Sequence, residues 1–272
     1  DHRDLHSFPT RRSSDLVLNY RFPSRFAMLS SSIKGDVHRR VSQYGLLKDA
    51  EFRLYWSKYI VYLKIRRQYI LLSKALKRRP DLRYVLSHAL AQLKAASTSL
   101  KENERLDSLS SLRGLEGAAA AGFFKAFIHL FPDSLHFNGR NRRPPKDPVN
   151  ACLSLAYTLF HQEAVNALKT VGLDPCVGCY HEIYYTRESL ACDLLEPVRP
   201  LIDEWVWILF RGRTLRAEDF SIKQLACLLN PAGKQKFYKA FREKVPALRR
   251  LLRSYSRIAV TAVCHHQDGS TK

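Results

Sequence analysis

Three side chains in this 272-residue chain have the types and settings that a divalent-metal site requires: Glu116, His181 and Glu196. Glu116 is the only carboxylate in Leu112–Phe131, LRGLEGAAAAGFFKAFIHLF, a stretch otherwise almost wholly apolar or small. A carboxylate withdrawn from water costs several kcal/mol unless it is paired or metal-bound, so Glu116 demands a partner. Arg113 or Lys125 would satisfy it by a plain salt bridge. His181 closes the segment GLDPCVGCYH, where glycine and proline stiffen the backbone that aims the imidazole. Asp193 and Glu196 are three residues apart, which on a helix puts them on one face with Ser189, away from Leu190 and Leu194. Like charges so placed repel unless a cation lies near; Arg187 and Arg199 are the counter-ions of the simpler, solvated-face reading. Two carboxylates and one imidazole suit Mg2+ or Mn2+ better than zinc. Such an ion polarises a phosphodiester and lowers the pKa of an attacking water or hydroxyl. Arg113, Arg140, Arg142 and Arg143 are the candidate phosphate contacts, since guanidinium forks match phosphate oxygens.

The charge balance fits a polyanionic substrate. Lysine and arginine number 45 against 25 acidic residues, a net charge of +20. That excess favours phosphate contacts and makes nucleic acid the leading partner. Anionic lipid and acidic proteins are the weaker alternatives, and no contiguous basic–apolar anchor supports a membrane-surface role. No run approaches the roughly 20 apolar residues that cross a bilayer. Charges interrupt the first residues, so they do not read as a secretory signal, and a cytoplasmic protein with no membrane partner is expected. The six cysteines are then expected to be reduced thiols. Cys176, Cys179 and Cys192 lie near His181, but a structural zinc site would need a second close pair, which is missing.

These residues need elements to position them, and the pattern is mostly helical. From about Val41, Phe52, Tyr55, Tyr59 and Tyr62 recur at three- and four-residue steps. The same segment carries Lys58, Lys64, Arg66, Arg67, Lys74, Lys77, Arg78 and Arg79 until Pro80 ends it. Leu82–Leu112 reads as one or two amphipathic helices, and Leu112–Phe131 as a further one. Asp147–Pro148 is a cap and first-turn pair for a helix that runs to about Lys169, with Gly172 as its stop. Arg187–Glu196 opens another helix, which Pro197 and Pro200 must break or kink before it continues through Leu201–Arg211. Asn230–Pro231 repeats the cap signal for a basic helix to Lys244, and a last helix covers Ala247 to about Val263. Upstream, Phe26–Ser31 reads as a short strand, with a turn at Gly35–Asp36. A single strand is not stable alone, so it is expected to be the remnant of a β domain.

In sequence order, the segments around all three candidate ligands resemble a known family. LRGLEG (112–117), the FNGRNRRPPKDPVN loop (137–150), GLDPCVGCYH (172–181), SLACDLLEPVRP (189–200) and LNPAGKQKF (229–237) are similar to signatures of the CRISPR-associated adaptation endonuclease and integrase family, the first of the Cas proteins. Gly35–Gln43 and Ile60–Lys64 also fit. The resemblance implies that Glu116, His181 and Glu196 ligate the metal and that Asp193 is a secondary acidic residue beside them. It implies an N-terminal β domain followed by a helical catalytic domain. It further implies a homodimer, two of which flank a small second Cas protein, and DNA cleavage and spacer joining by transesterification.

The domain organisation expected from these readings is mostly α, a helical catalytic domain preceded by the remnant of an N-terminal β domain. Residues 1–16 resemble a translated sequencing-adapter read-through, 17–40 are the β remnant and linker, 41–263 the metal-dependent catalytic domain, and 264–272 a flexible tail. The competing function is a non-catalytic, basic DNA-binding scaffold whose carboxylates merely pair with arginines.

Overall fold

The computed structural model describes residues 16–18, 27–29, 37–102, 106–141, 144–185 and 187–269. Most of the segment expected to be adapter-derived therefore lies outside the described residues, as do the Gly35–Asp36 turn, Arg142 and Arg143. Strand β1 (Leu16–Leu18) pairs antiparallel with β2 (Ala27–Leu29), Leu16 opposite Leu29; β2 falls within the strand expected at 26–31.

The rest is built on eight helices among the described residues: α1 (Val37–Leu46), α2 (Ala50–Arg78), α3 (Arg83–Glu102), α4 (Leu109–Phe127), α5 (Pro148–Thr170), α6 (Ser189–Leu195), α7 (Arg199–Arg211) and α8 (Pro231–Gly269). Helix α2 packs on α3, α4 and α7, while α5 packs on α6, α7 and α8. Their shared core holds Val61, Ile65, Leu72, Phe123, Phe127, Phe160 and Trp207, all essentially without solvent contact. The Trp207 indole N–H donates to the Leu130 carbonyl at 3.2 Å, which ties α7 to the end of α4. No helix among the described residues is long and apolar enough to cross a membrane.

Cap chemistry sets several boundaries. Asp147 accepts the Asn150 N–H at 2.8 Å and starts α5 with Pro148 in its first turn. Asn230 does the same for Gly233 at 2.8 Å before α8. Gly172 adopts a φ of 81° just past α5, the left-handed stop that glycine permits. Pro197 and Pro200 break the helix as expected: α6 ends at Leu195, a tight turn covers Glu196–Val198, and α7 begins at Arg199.

Two features differ from the sequence expectation. The last two expected helices are one, because α8 continues through Pro246 and past Val263 to Gly269. An internal proline costs about 3 kcal/mol. Burial of Val245, Leu248, Leu252 and Phe237 along α8, at roughly 1.5–3 kcal/mol for each fully buried side chain, outweighs it. The second difference is the hairpin β3 (Phe220–Lys223) and β4 (Ala226–Leu229), with Lys223 opposite Ala226. Its turn residues Gln224 and Leu225 both have positive φ, 47° and 63°. Such two-residue turns ordinarily carry Asn-Gly or Asp-Gly, so the sequence offers no turn signal here.

Candidate active site

A cleft of about 610 Å³ opens between α2, α4, α5, the 172–181 loop and the start of α7. Glu116, His181 and Glu196 all line it, although 80 residues separate the first from the last. Arg113 and Arg140 line it as well.

Each side chain is aimed by its element. Helix α4 starts at Ser108, whose hydroxyl accepts the Ser111 N–H at 3.2 Å. Its Leu112, Ala119 and Phe123 are buried, and Glu116, between them on the same turns, looks into the cleft. The alanines and glycines that follow let other elements come close: a Cβ at Gly122 would meet Gln92 Oε1 at 2.5 Å.

His181 is positioned by Asp193. The Asp193 carboxylate is fully buried and accepts the backbone N–H groups of Cys179 (2.7 Å), Tyr180 (3.0 Å) and His181 (2.9 Å). It also contacts His181 Nδ1 at 2.7 Å. That contact turns the other ring nitrogen, Nε2, toward Glu196, whose Oε1 lies 3.9 Å away. Asp193 thus points inward to the loop rather than sharing a cation with Glu196. The loop can lie this close to α6 because of Gly178, where a Cβ would stand 2.7 Å from the Ser189 carbonyl carbon and 2.8 Å from Asp193 Oδ2.

Glu196 and Glu116 converge on one positive charge. Lys64 Nζ lies 2.5 Å from Glu116 Oε1 and 2.5 Å from Glu196 Oε2, with 13% of its side chain exposed. Arg199 Nε donates to the other Glu196 oxygen at 2.7 Å. Burial alone would raise the Glu196 carboxyl, but Arg199, Lys64 and His181 outweigh it and hold it well below the usual carboxylate range. Burial likewise opposes the charge on Lys64, and Glu196 with Glu116 reverses that, so its pKa is raised. The Tyr180 hydroxyl donates to Glu116 Oε2 at 3.4 Å, and burial followed by the two glutamates pushes its pKa up, keeping it protonated. Farther back, the Arg199 guanidinium lies 4.7 Å from the Tyr157 ring centroid and that of Arg140 at 5.3 Å. The Tyr157 hydroxyl donates to Asp203, whose carboxyl burial raises to about 6 against the pull of Tyr157, Arg140 and Arg199.

The arginines expected to hold phosphate are partly engaged. Arg113 donates to Glu182 at 2.7 Å and to the Tyr180 carbonyl at 3.0 Å. Arg140 donates to Asn150 Oδ1 at 2.5 Å. All six cysteines are free thiols. Among the described residues no group of three or more His, Cys, Asp or Glu side chains is gathered closely enough to hold a metal ion; the Lys64 ammonium stands between the two glutamates instead.

In the sequence Lys64 reads as one charge on a basic helix face, with no part in the site. The available signal was its register. Ile60, Lys64 and Gln68 follow at four-residue steps, and Ile60 and Gln68 are buried. A lysine on the buried stripe of a helix needs a partner. Tyr180 and Asp203 carried no comparable signal.

Residues 5–243 match the family model described as CRISPR associated protein Cas1. The chain belongs to the Cas1 family. It is 37% identical over 230 residues to the CRISPR-associated endonuclease Cas1 1 of Thermodesulfovibrio yellowstonii, covering 82% of this chain and 71% of that one. With Cas1 3 of Thermus thermophilus it shares 44% identity over 144 residues, 53% of this chain and 43% of the relative. In fold it is similar to a chain of a partial Cas6-RT-Cas1–Cas2 complex, with a TM-score of 0.76 over 89% of this chain and 75% of that one at 24% identity. The helical architecture around the cleft is therefore that of Cas1 proteins.

Proposed function

We propose that this Cas1-family chain is a divalent-metal-dependent DNA endonuclease and integrase that acquires new spacers into a CRISPR array by phosphodiester cleavage and strand transfer. The observation that carries the reading is the meeting of two glutamates, one from α4 and one from the turn before α7, on a single buried cation, beside an imidazole whose Nε2 faces Glu196. The Lys64 ammonium is a stand-in charge, and a donor set arranged around one positive charge fits a hard cation. Glu116, Glu196 and His181 would hold Mg2+ or Mn2+ there. When bound, that ion supplies Lewis-acid polarisation of the phosphodiester and activation of the attacking hydroxyl.

The chain's own residues perform the remaining tasks. Asp193 holds the His181 ring in place through Nδ1, an outer contact of the kind that orients a metal ligand. Arg199 keeps Glu196 ionised. Lys64 neutralises both glutamates, and with a divalent ion held there its ammonium would be available to a phosphate oxygen. Arg113 and Arg140 rim the cleft and hold the DNA backbone. By relation to the assemblies of its family, the chain works on protospacer and repeat DNA as a homodimer together with a Cas2-type partner.

Cleavage and strand transfer on branched DNA, with and without Mn2+, test the assignment. Full activity after Glu116→Ala or His181→Ala would sink it. A second reading, a non-catalytic DNA-binding scaffold, is favoured by the same Lys64 and Arg199 pairs, which already neutralise the glutamates. Titration calorimetry separates the two: a scaffold binds DNA in a steeply salt-dependent way but takes up no divalent ion.

A further inference from the structure

A second cleft, of about 960 Å³, opens at the other end of α4. One wall is the chain following α4, from Ile128 to Asn138, and the other is the end of α7 with the turn after it. Arg79, Arg211, Arg213 and Arg216 line it, against a single lining carboxylate, Asp133.

The arginines are presented rather than consumed. The Arg211 guanidinium lies over the Trp207 ring, 5.2 Å from its centroid, and makes no ion pair among the described residues. Arg216 has only a 3.8 Å approach to Glu218, with both side chains more than half exposed. Arg213 makes no ion pair among the described residues, and its φ of 55° puts it in the left-handed region just past α7. Glycine is the usual residue there; an arginine accepts roughly 1–2 kcal/mol of strain. Arg79 is held by Asp81 at 2.6 Å and contributes least.

Position links this cleft to the first. Helix α4 lines the catalytic cleft with Ala120, Ala121 and Phe124, and its continuation at Ile128 lines the second. Glu116 to Ile128 is about 18 Å along a helix axis, or about five steps of duplex DNA. The loop after α4 joins the rims too, with Asn138 in one and Arg140 in the other.

We infer that the Arg211–Arg213–Arg216 cleft holds the phosphate backbone of the duplex that flanks the phosphodiester seated at Glu116. This rests on the DNA-processing reading above. The test is fluorescence anisotropy with the full chain and branched DNA at several salt concentrations. One DNA carries a long duplex arm, and the other an arm cut to about two base pairs, too short to span ~18 Å. Arg211→Gln/Arg213→Gly/Arg216→Gln removes three charges, and glycine suits the backbone at 213. The slope of log affinity against log salt should fall by about 2.7 on the long arm, at about 0.9 per phosphate contact, and stay unchanged on the short arm. Arg211→Lys/Arg216→Lys, which keeps the charges, should retain the wild-type slope and serves as the folded control. An equal slope for wild type and triple variant on the long arm overturns the inference, as does an equal loss on both arms. If the wild-type protein shows no salt-dependent DNA binding at all, the DNA-processing reading fails instead.

Discussion

At one end of α4 the cleft gathers negative charge and neutralises it from within; at the other it gathers positive charge and leaves it open. Glu116, Glu196 and the buried Asp193 are answered one by one, by Lys64, Arg199, backbone N–H groups and His181. Arg211, Arg213 and Arg216 face solvent with a single carboxylate among the residues lining their cleft. The difference follows from burial. A buried charge without a partner costs several kcal/mol, so the first cleft must be balanced at every step. An exposed guanidinium costs little and can wait for a polyanion. The first arrangement suits chemistry at one point and the second suits affinity spread along a backbone.

The comparison breaks most sharply at the ligand candidates. Glu116→Ala or His181→Ala should lower Mn2+-dependent cleavage by roughly 10³-fold or more, while duplex affinity by anisotropy changes little. A comparable loss of both would merge the two clefts into one functional surface. Lys64→Met leaves the glutamates facing each other and should lower metal-free stability by about 3–5 kcal/mol, read by urea denaturation. Because Lys64 competes for the same oxygens, the variant should also gain a larger rise in melting temperature from Mn2+ than the wild type does. An unchanged Mn2+ response would show that ammonium and metal do not share a place.

Asp193→Asn keeps the size and removes the charge that holds His181 Nδ1. Metal affinity or activity should fall about 10–100-fold, with kcat falling more than KM rises. The smallest expected effect lies outside both clefts. His161 is raised to about 9 by its hydrogen bonds to Cys192 and Glu188, Glu188 Oε2 lying 2.8 Å away. A raised histidine stabilises fully below its ordinary value of 6.5 and loses that contribution as pH rises through about 9. The melting-temperature gap between wild type and His161→Gln should therefore be widest near pH 6 and close across that window.

Much of the frame was legible because it rests on local rules. Asp147–Pro148, Asn230–Pro231, Gly172 and the Pro197–Pro200 pair each mark a helix end by cap or backbone chemistry that needs no tertiary partner. What was lost in the sequence depends on distant contacts. Pro246 stays helical because residues on either side of it along α8 are buried in the core. Gln224 and Leu225 turn a hairpin without the residues that normally announce one.

The amino-acid sequence by itself determined the helical character, the positive charge, and the three ordered segments that carry Glu116, His181 and Glu196. Helix periodicity and cap chemistry are properties of neighbours in the chain, and family motifs are strings of them. Only the tertiary structure decided that 80 residues of separation close to a single cleft, that Asp193 serves His181 rather than a shared cation, and that Lys64 stands between the glutamates. Those outcomes depend on which charges lose their water together, and that is settled when the helices pack.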